Sequence, residues 1–127
     1  MPKALEVSGL SLEVLEREGL DPEQAMRAFQ DWLTIQVGDG QPVFVGLNAA
    51  FDWAFVNDYF HRYLGDNPFG FAPLDLKSLY MGRFHSSWED TRSSRMHAHL
   101  KLENTATHHA LDDARAQARL FLAIRRA

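Results

Sequence analysis

The stretch Val43-Phe44-Val45-Gly46-Leu47-Asn48-Ala49-Ala50-Phe51-Asp52 decides how this chain is read. Val43 to Leu47 is a short continuous apolar run with β-branched residues, the pattern of a strand buried on both faces. From Ala50 to Leu64 the apolar residues Trp53, Val56, Phe60 and Leu64, with Phe55, Tyr59 and Tyr63 beside them, follow a helical period that stops at Gly65. Strand therefore passes to helix within a few residues of Asn48. That places Asp52 in the first helical turn, near the strand's carboxyl edge, where open α/β sheets bind ligands. An acid at that position also interacts favourably with the helix dipole, by roughly 0.3–1 kcal/mol, and needs no ligand to do so.

Upstream, Leu12 to Glu18 predicts a short helix after Ser11, ended by Gly19. Asp21-Pro22-Glu23-Gln24 then supplies a capping residue, a proline at the first helical position and a glutamine placed to reach back to the cap. Met26, Phe29, Trp32 and Leu33 continue that helix to about Gln36, and Gly38-Asp39-Gly40 stops it. Downstream, Gly65-Asp66-Asn67-Pro68 is a turn, Gly70 to Leu76 a second short strand, and Lys77 to Gly82 a turn of helix. Phe84 to Thr107 is polar and without period, which predicts a lid or a poorly ordered loop with room for one helical turn. Ala110 to Arg126 reads as a helix capped by Thr107, laying Leu111, Ala114, Ala118 and Phe121 against a sheet. The order helix, strand, helix, strand, helix defines an α/β layer arrangement in a single domain over residues 1–127. Two strands are too few for the sheet such helices cover, so the domain reads as partial.

At 127 residues and 46% hydrophobic, the chain suits one soluble core. No apolar run approaches the roughly 18 residues of a membrane span. The start Met-Pro-Lys-Ala-Leu-Glu lacks the layout of a signal peptide, so a cytoplasmic protein without a membrane partner is expected. The absence of cysteine removes disulfides, thiolate metal sites and a cysteine nucleophile, leaving Asp, Glu and His to hold any metal. The net charge of -4 is unevenly divided: residues 1–60 hold 3 Lys+Arg against 10 Asp+Glu, whereas residues 61–127 hold 10 against 7. Two solvated faces explain this division; phosphate contacts in the second half explain it too.

A second chemical candidate is Thr107-His108-His109-Ala110-Leu111-Asp112-Asp113-Ala114. Five residues of α-helix turn through about 500°, which sets the side chains at positions 108 and 113 about 140° apart. His108 must therefore sit ahead of the helix, where its imidazole could approach an attacking water as a general base while Asp113 projects from the helix. Loop histidines and early-helix acids of no function would look the same. His97-Ala-His99 has no acid or cysteine pattern around it to make a metal site, and no strand-to-helix elbow presents a serine nucleophile.

Together, Asn48-Ala-Ala-Phe51-Asp52 after a buried strand, and His108 five places before Asp113, resemble the second and third exonuclease motifs of the DEDDh family of 3′-to-5′ exonucleases. The residues from Ala4 to Ser11 with Gly19-Leu20 resemble the stretch before that family's first long helix. Asp75-Leu-Lys-Ser-Leu79 resembles its strand before the loop, so the likeness covers nearly the whole chain. The resemblance implies a ribonuclease-H-like fold and removal of nucleotides from DNA or RNA 3′ ends. It also implies two Mg2+ (or Mn2+) ions held by four carboxylates. On that pattern Asp52 and Asp113 are catalytic metal ligands, His108 is the base, and Asn48 and Phe51 shape the substrate site. The family's first motif, Asp-x-Glu on an opening strand, has no counterpart here, which implies an N-terminally incomplete domain whose helices pack on a remnant sheet. The strand Val43 to Leu47 would then show an open edge suited to a second copy or a partner chain. Two alternatives follow: an inactive, nuclease-derived interaction module that docks through that edge, or two chains completing one site.

Overall fold

The structure, a computed structural model, describes residues 2–103 and 105–127; Met1, and Asn104 within the expected loop, lie outside the described residues. In chain order the elements are α1 (Pro2–Ser8), α2 (Leu12–Glu18), α3 (Pro22–Val37), β1 (Val45–Gly46), α4 (Ala49–Leu64), β2 (Leu74–Asp75), α5 (Leu76–Phe84), a 3-10 turn (Trp88–Thr91), α6 (Ser93–His99) and α7 (Ala110–Arg126). The result is a mostly helical α/β arrangement with one pair of parallel strands among the described residues. No helix among the described residues is long and apolar enough to cross a membrane. The residues form two compact units, 1–44 with 51–73, and 45–50 with 74–127.

In the first unit α3 begins as its sequence requires. Asp21 accepts the Gln24 N–H at 3.1 Å, Pro22 occupies the first helical position, and Gly38, at φ 58°, ends the helix. Met26 and Leu33 of α3 meet Phe60 of α4, with Phe29, Val56, Tyr63, Leu64 and Phe69 packed around them. The Phe29 and Phe60 rings lie 5.4 Å apart and the Phe44 and Phe69 rings meet edge-on at 5.4 Å, both favoured aromatic geometries. Trp32, which the helical period assigns to this seam, is instead 54% exposed, because the seam follows positions 26, 29 and 33. Asn67 is buried and satisfied: its amide donates to Asn57 Oδ1 at 2.8 Å and its own Oδ1 accepts the Phe69 N–H at 3.0 Å.

In the second unit β1 and β2 pair with Val45 opposite Leu74 and Gly46 opposite Asp75. Leu76 and Tyr80 of α5, Met96 of α6, and Leu120 and Ile124 of α7 form the core, with Val45, Leu47 and Leu74 against it. Both strands are shorter than the sequence predicts. Val43 is 60% exposed rather than inside a strand, and Gly70, at φ 78°, closes a turn on the Asn67 carbonyl rather than opening one. With a single neighbour each among the described residues, the strands have backbone pairing for only two residues. The helical turn expected at Lys77–Gly82 is the nine-residue α5, capped by Asp75.

The segment Phe84–Thr107, expected as a loop with room for one helical turn, holds two helical pieces among the described residues, the 3-10 turn and α6. Thr91 and Met96 are fully buried, and the Thr91 hydroxyl donates to the Trp88 carbonyl at 2.6 Å. A seven-residue helix displays too few apolar positions to register as a period. His97 donates from Nδ1 to the Ser93 carbonyl at 2.7 Å, and His99 Nδ1 lies 2.5 Å from the buried Tyr80 hydroxyl, so both rings serve packing. The buried seam of α7 is Ala116, Leu120 and Ile124; Leu111 is 51% exposed and Ala114 and Ala118 face outward. Of the expected stripe only Phe121 packs against the core, beside the fully buried Leu120 and Ile124.

Candidate active site

The turn joining β1 to α4 is held by side chains that the sequence does not announce. Asn48 has φ 58°, a left-handed conformation that asparagine tolerates better than most residues. On one side of it the Leu47 N–H donates to Gln117 Oε1 of α7 at 2.8 Å. On the other, the Ala49 N–H donates to Asp75 Oδ2 at 2.7 Å. The second oxygen of Asp75 accepts the Ser78 N–H at 2.9 Å as the cap of α5. One carboxylate thus satisfies one amino-terminal N–H of each of two helices, and a negative charge at two positive dipole ends is doubly stabilised. Ala49 is fully buried at this junction.

Asp52 lies in the first turn of α4, exposed, next to Phe51, which is 65% exposed and stacks edge-on with Phe55 at 5.4 Å. Among the described residues no basic side chain pairs with Asp52, Asp112 or Asp113.

His108, at φ 64°, stands two residues ahead of α7, as the rotation argument requires. Asp113 Oδ1 reaches back to accept the N–H of Thr107 at 3.1 Å and of His108 at 3.2 Å. The backbone that carries the imidazole is therefore tied to the carboxylate five residues later. Asp113 Oδ2 makes no hydrogen bond with the described residues. The cap position belongs to His109 and makes no side-chain capping bond, correcting the assignment to Thr107. Thr107 instead donates from Oγ1 to Asp112 Oδ2 at 2.9 Å. Arg119 reaches from α7 to the Thr105 hydroxyl, adding a third tie between helix and preceding segment.

No group of three or more His, Asp or Glu side chains that could hold a metal ion gathers among the described residues. Among the described residues, Asp113 is a carboxylate pinned to the backbone of His108, and Asp52 is a carboxylate without an ion-pair partner at the start of α4. All donors are oxygen or imidazole nitrogen, which suits hard divalent cations. Sequence reasoning missed the structural parts of Asp75 and Gln117. An Asp followed three residues later by Ser78 is a readable cap signal, whereas nothing local links Gln117 to a strand seventy positions earlier.

Residues 12–125 match the 3'-5' exoribonuclease Rv2179c-like domain, and the chain belongs to that family. More particularly, it is 55% identical over 122 residues to a protein of Escherichia coli described as 3'-5' DNA exonuclease Cap18, an alignment covering 95% of this chain and 65% of that relative. The chain thus spans under two thirds of the length of the curated relative it matches.

Proposed function

We propose that these residues form part of a 3′-to-5′ exonuclease of the DEDDh type, in a ribonuclease-H-like fold, that removes nucleotides from nucleic-acid 3′ ends by two-metal hydrolysis. Family membership supports the reaction class, and the geometry around residue 113 supports the assignment of roles. The observation that carries it is the double N–H contact from Thr107 and His108 to Asp113 Oδ1. It fixes one carboxylate oxygen, presents the other, and sets His108 ahead of the helix, as the third motif of the resemblance needs.

In this reading Asp113 and Asp52 would hold Mg2+ or Mn2+, with the remaining carboxylates of the set outside these 127 residues. Two such ions would supply charge stabilisation for the attacking and departing oxygens of an in-line displacement. His108 takes a proton from the attacking water, the part of a general base. Asn48, fixed in its left-handed turn, and the exposed Phe51 ring shape the place where the terminal nucleotide sits. The relative with 55% identity makes DNA the first substrate to test, and the family description makes RNA the second.

The test uses the full-length protein and a 5′-labelled single strand of each kind. A ladder shortening from the 3′ end, dependent on added Mg2+ and absent in Asp113→Asn, is the expected result. Undiminished trimming by Asp113→Asn would remove the assignment.

A further inference from the structure

The exposed faces of the second unit include one aromatic ring that its packing does not explain. Trp88 is 55% exposed, and the Lys77 ammonium lies over it, 3.8 Å from the ring centroid. Lys77 is the second residue of α5, directly beyond β2. Because β1 and β2 are parallel and Gly46 is opposite Asp75, the residues that follow each strand leave the sheet at the same edge. Asn48 and Lys77 therefore share the carboxyl edge of the strand pair, the edge at which open α/β sheets bind ligands.

The charges around Trp88 are arranged to leave Lys77 uncompensated. Glu89 pairs with Arg92 at 2.9 Å and Asp90 pairs with Arg95 at 2.9 Å, so both acids that follow Trp88 are neutralised. Lys77 has no acidic partner within ion-pair distance among the described residues. The unit as a whole carries nine Lys and Arg against six Asp and Glu. The ring is also pre-positioned. Ser87 caps the 3-10 turn, its hydroxyl bonded to Asp90 at 2.7 Å, and the buried Thr91 holds the Trp88 carbonyl. A rigid aromatic face with one free cation is what a nucleotide of a single strand needs: a plane for its base and a charge for its phosphate.

We propose that Trp88 and Lys77 form a nucleotide-binding subsite for single-stranded nucleic acid, the indole stacking a base and the ammonium taking the adjacent phosphate. This rests on the exonuclease reading above and extends it to how the strand is held. Binding displaces the Lys77 ammonium from the indole face onto the phosphate, so the cation–π contact is the resting state of an unloaded subsite. Stacking on an indole and contact with a phosphate ignore the sugar, so deoxy and ribo strands are both accepted here.

The experiment measures binding of fluorescent 12-nucleotide DNA and RNA single strands to the full-length protein in EDTA, where cutting is suppressed, across a salt series. Trp88→Ala is expected to weaken binding by about 5- to 100-fold with the salt slope kept, and Trp88→Phe to recover most of the loss, because any ring stacks. Lys77→Gln is expected to lower the slope of log K against log salt by about 0.7, the share of one phosphate contact on a single strand. Arg126→Gln, an exposed cation at the far end of α7, serves as the control with no change. If Trp88→Ala and Lys77→Gln bind as the parent does while trimming with Mg2+ persists, the subsite is wrong and the exonuclease reading stands. If Trp88→Phe is as weak as Trp88→Ala, stacking is excluded. If the parent neither binds nor trims either strand, both readings fall together.

Discussion

Asp75 Oδ2 accepts the Ala49 N–H at 2.7 Å, so the carboxylate that caps α5 also fixes the first residue of α4, twenty-six positions earlier. That single side chain sets where α4 begins, and with it the helical turn that carries Asp52. Removing it should act on folding and on catalysis at once. Asp75→Ala loses a cap, worth about 0.5–2 kcal/mol, and leaves the buried Ala49 amide without its charged acceptor, a further ~1–3 kcal/mol. Urea unfolding should show a loss of about 2–4 kcal/mol for Asp75→Ala. Asp75→Asn, which can keep the Ser78 contact through Oδ1, should lose less.

Asp113→Asn separates structure from chemistry. The amide keeps an oxygen to accept the Thr107 and His108 N–H groups, so unfolding by urea should be nearly unchanged. Trimming should fall by at least about a hundredfold, the scale on which loss of one electrostatic stabiliser of a transition state is felt. A variant equally impaired in stability and in rate would show that Asp113 is merely a structural acid.

His108 combines a proposed proton acceptor with a left-handed backbone at φ 64°. Replacement by Gly and by Val should both cost about 10²–10⁴ in rate, the range for a lost general base. Only His108→Val should also cost stability, by roughly 1–2 kcal/mol, since a β-branched residue resists that conformation. Trimming rates and urea unfolding of all three proteins settle the point.

Asp90 is held below the ordinary aspartate range, first by the Ser87 hydroxyl and then by Arg95. A depressed carboxyl favours the folded state at pH above its unfolded value, and that contribution disappears as pH falls through the folded value. Carbon-detected NMR titration should place Asp90 below the other exposed aspartates, and Ser87→Ala should move it back up. An unchanged midpoint in Ser87→Ala would assign the shift to Arg95 instead.

Much of this was legible in the residues, for physical reasons that differ by element. The longer helices were read within a residue or two: α3 between Asp21 and Gly38, α4 up to Gly65, α7 over its full span. The place of His108 ahead of α7 followed from helical rotation, whereas the backbone contacts that tie it to Asp113 did not. The strands were overextended, because an apolar run reports burial and not whether a neighbour is present to pair with it. The extent of the helical pieces between Trp88 and His99 was hidden because Thr91 and Met96 are buried singly, without a repeat. The double use of Asp75 and the reach of Gln117 depend on tertiary placement, which no local window contains.

Gln117 has one more implication. Leu47, immediately past β1, gives its N–H to a side chain of α7 rather than to another strand. Slow deuterium uptake at that amide would therefore register whether the terminal helix is seated, and would say little about the sheet. Trimming the glutamine to alanine should make this one amide exchange at the rate of an open chain while the neighbouring ladder stays protected.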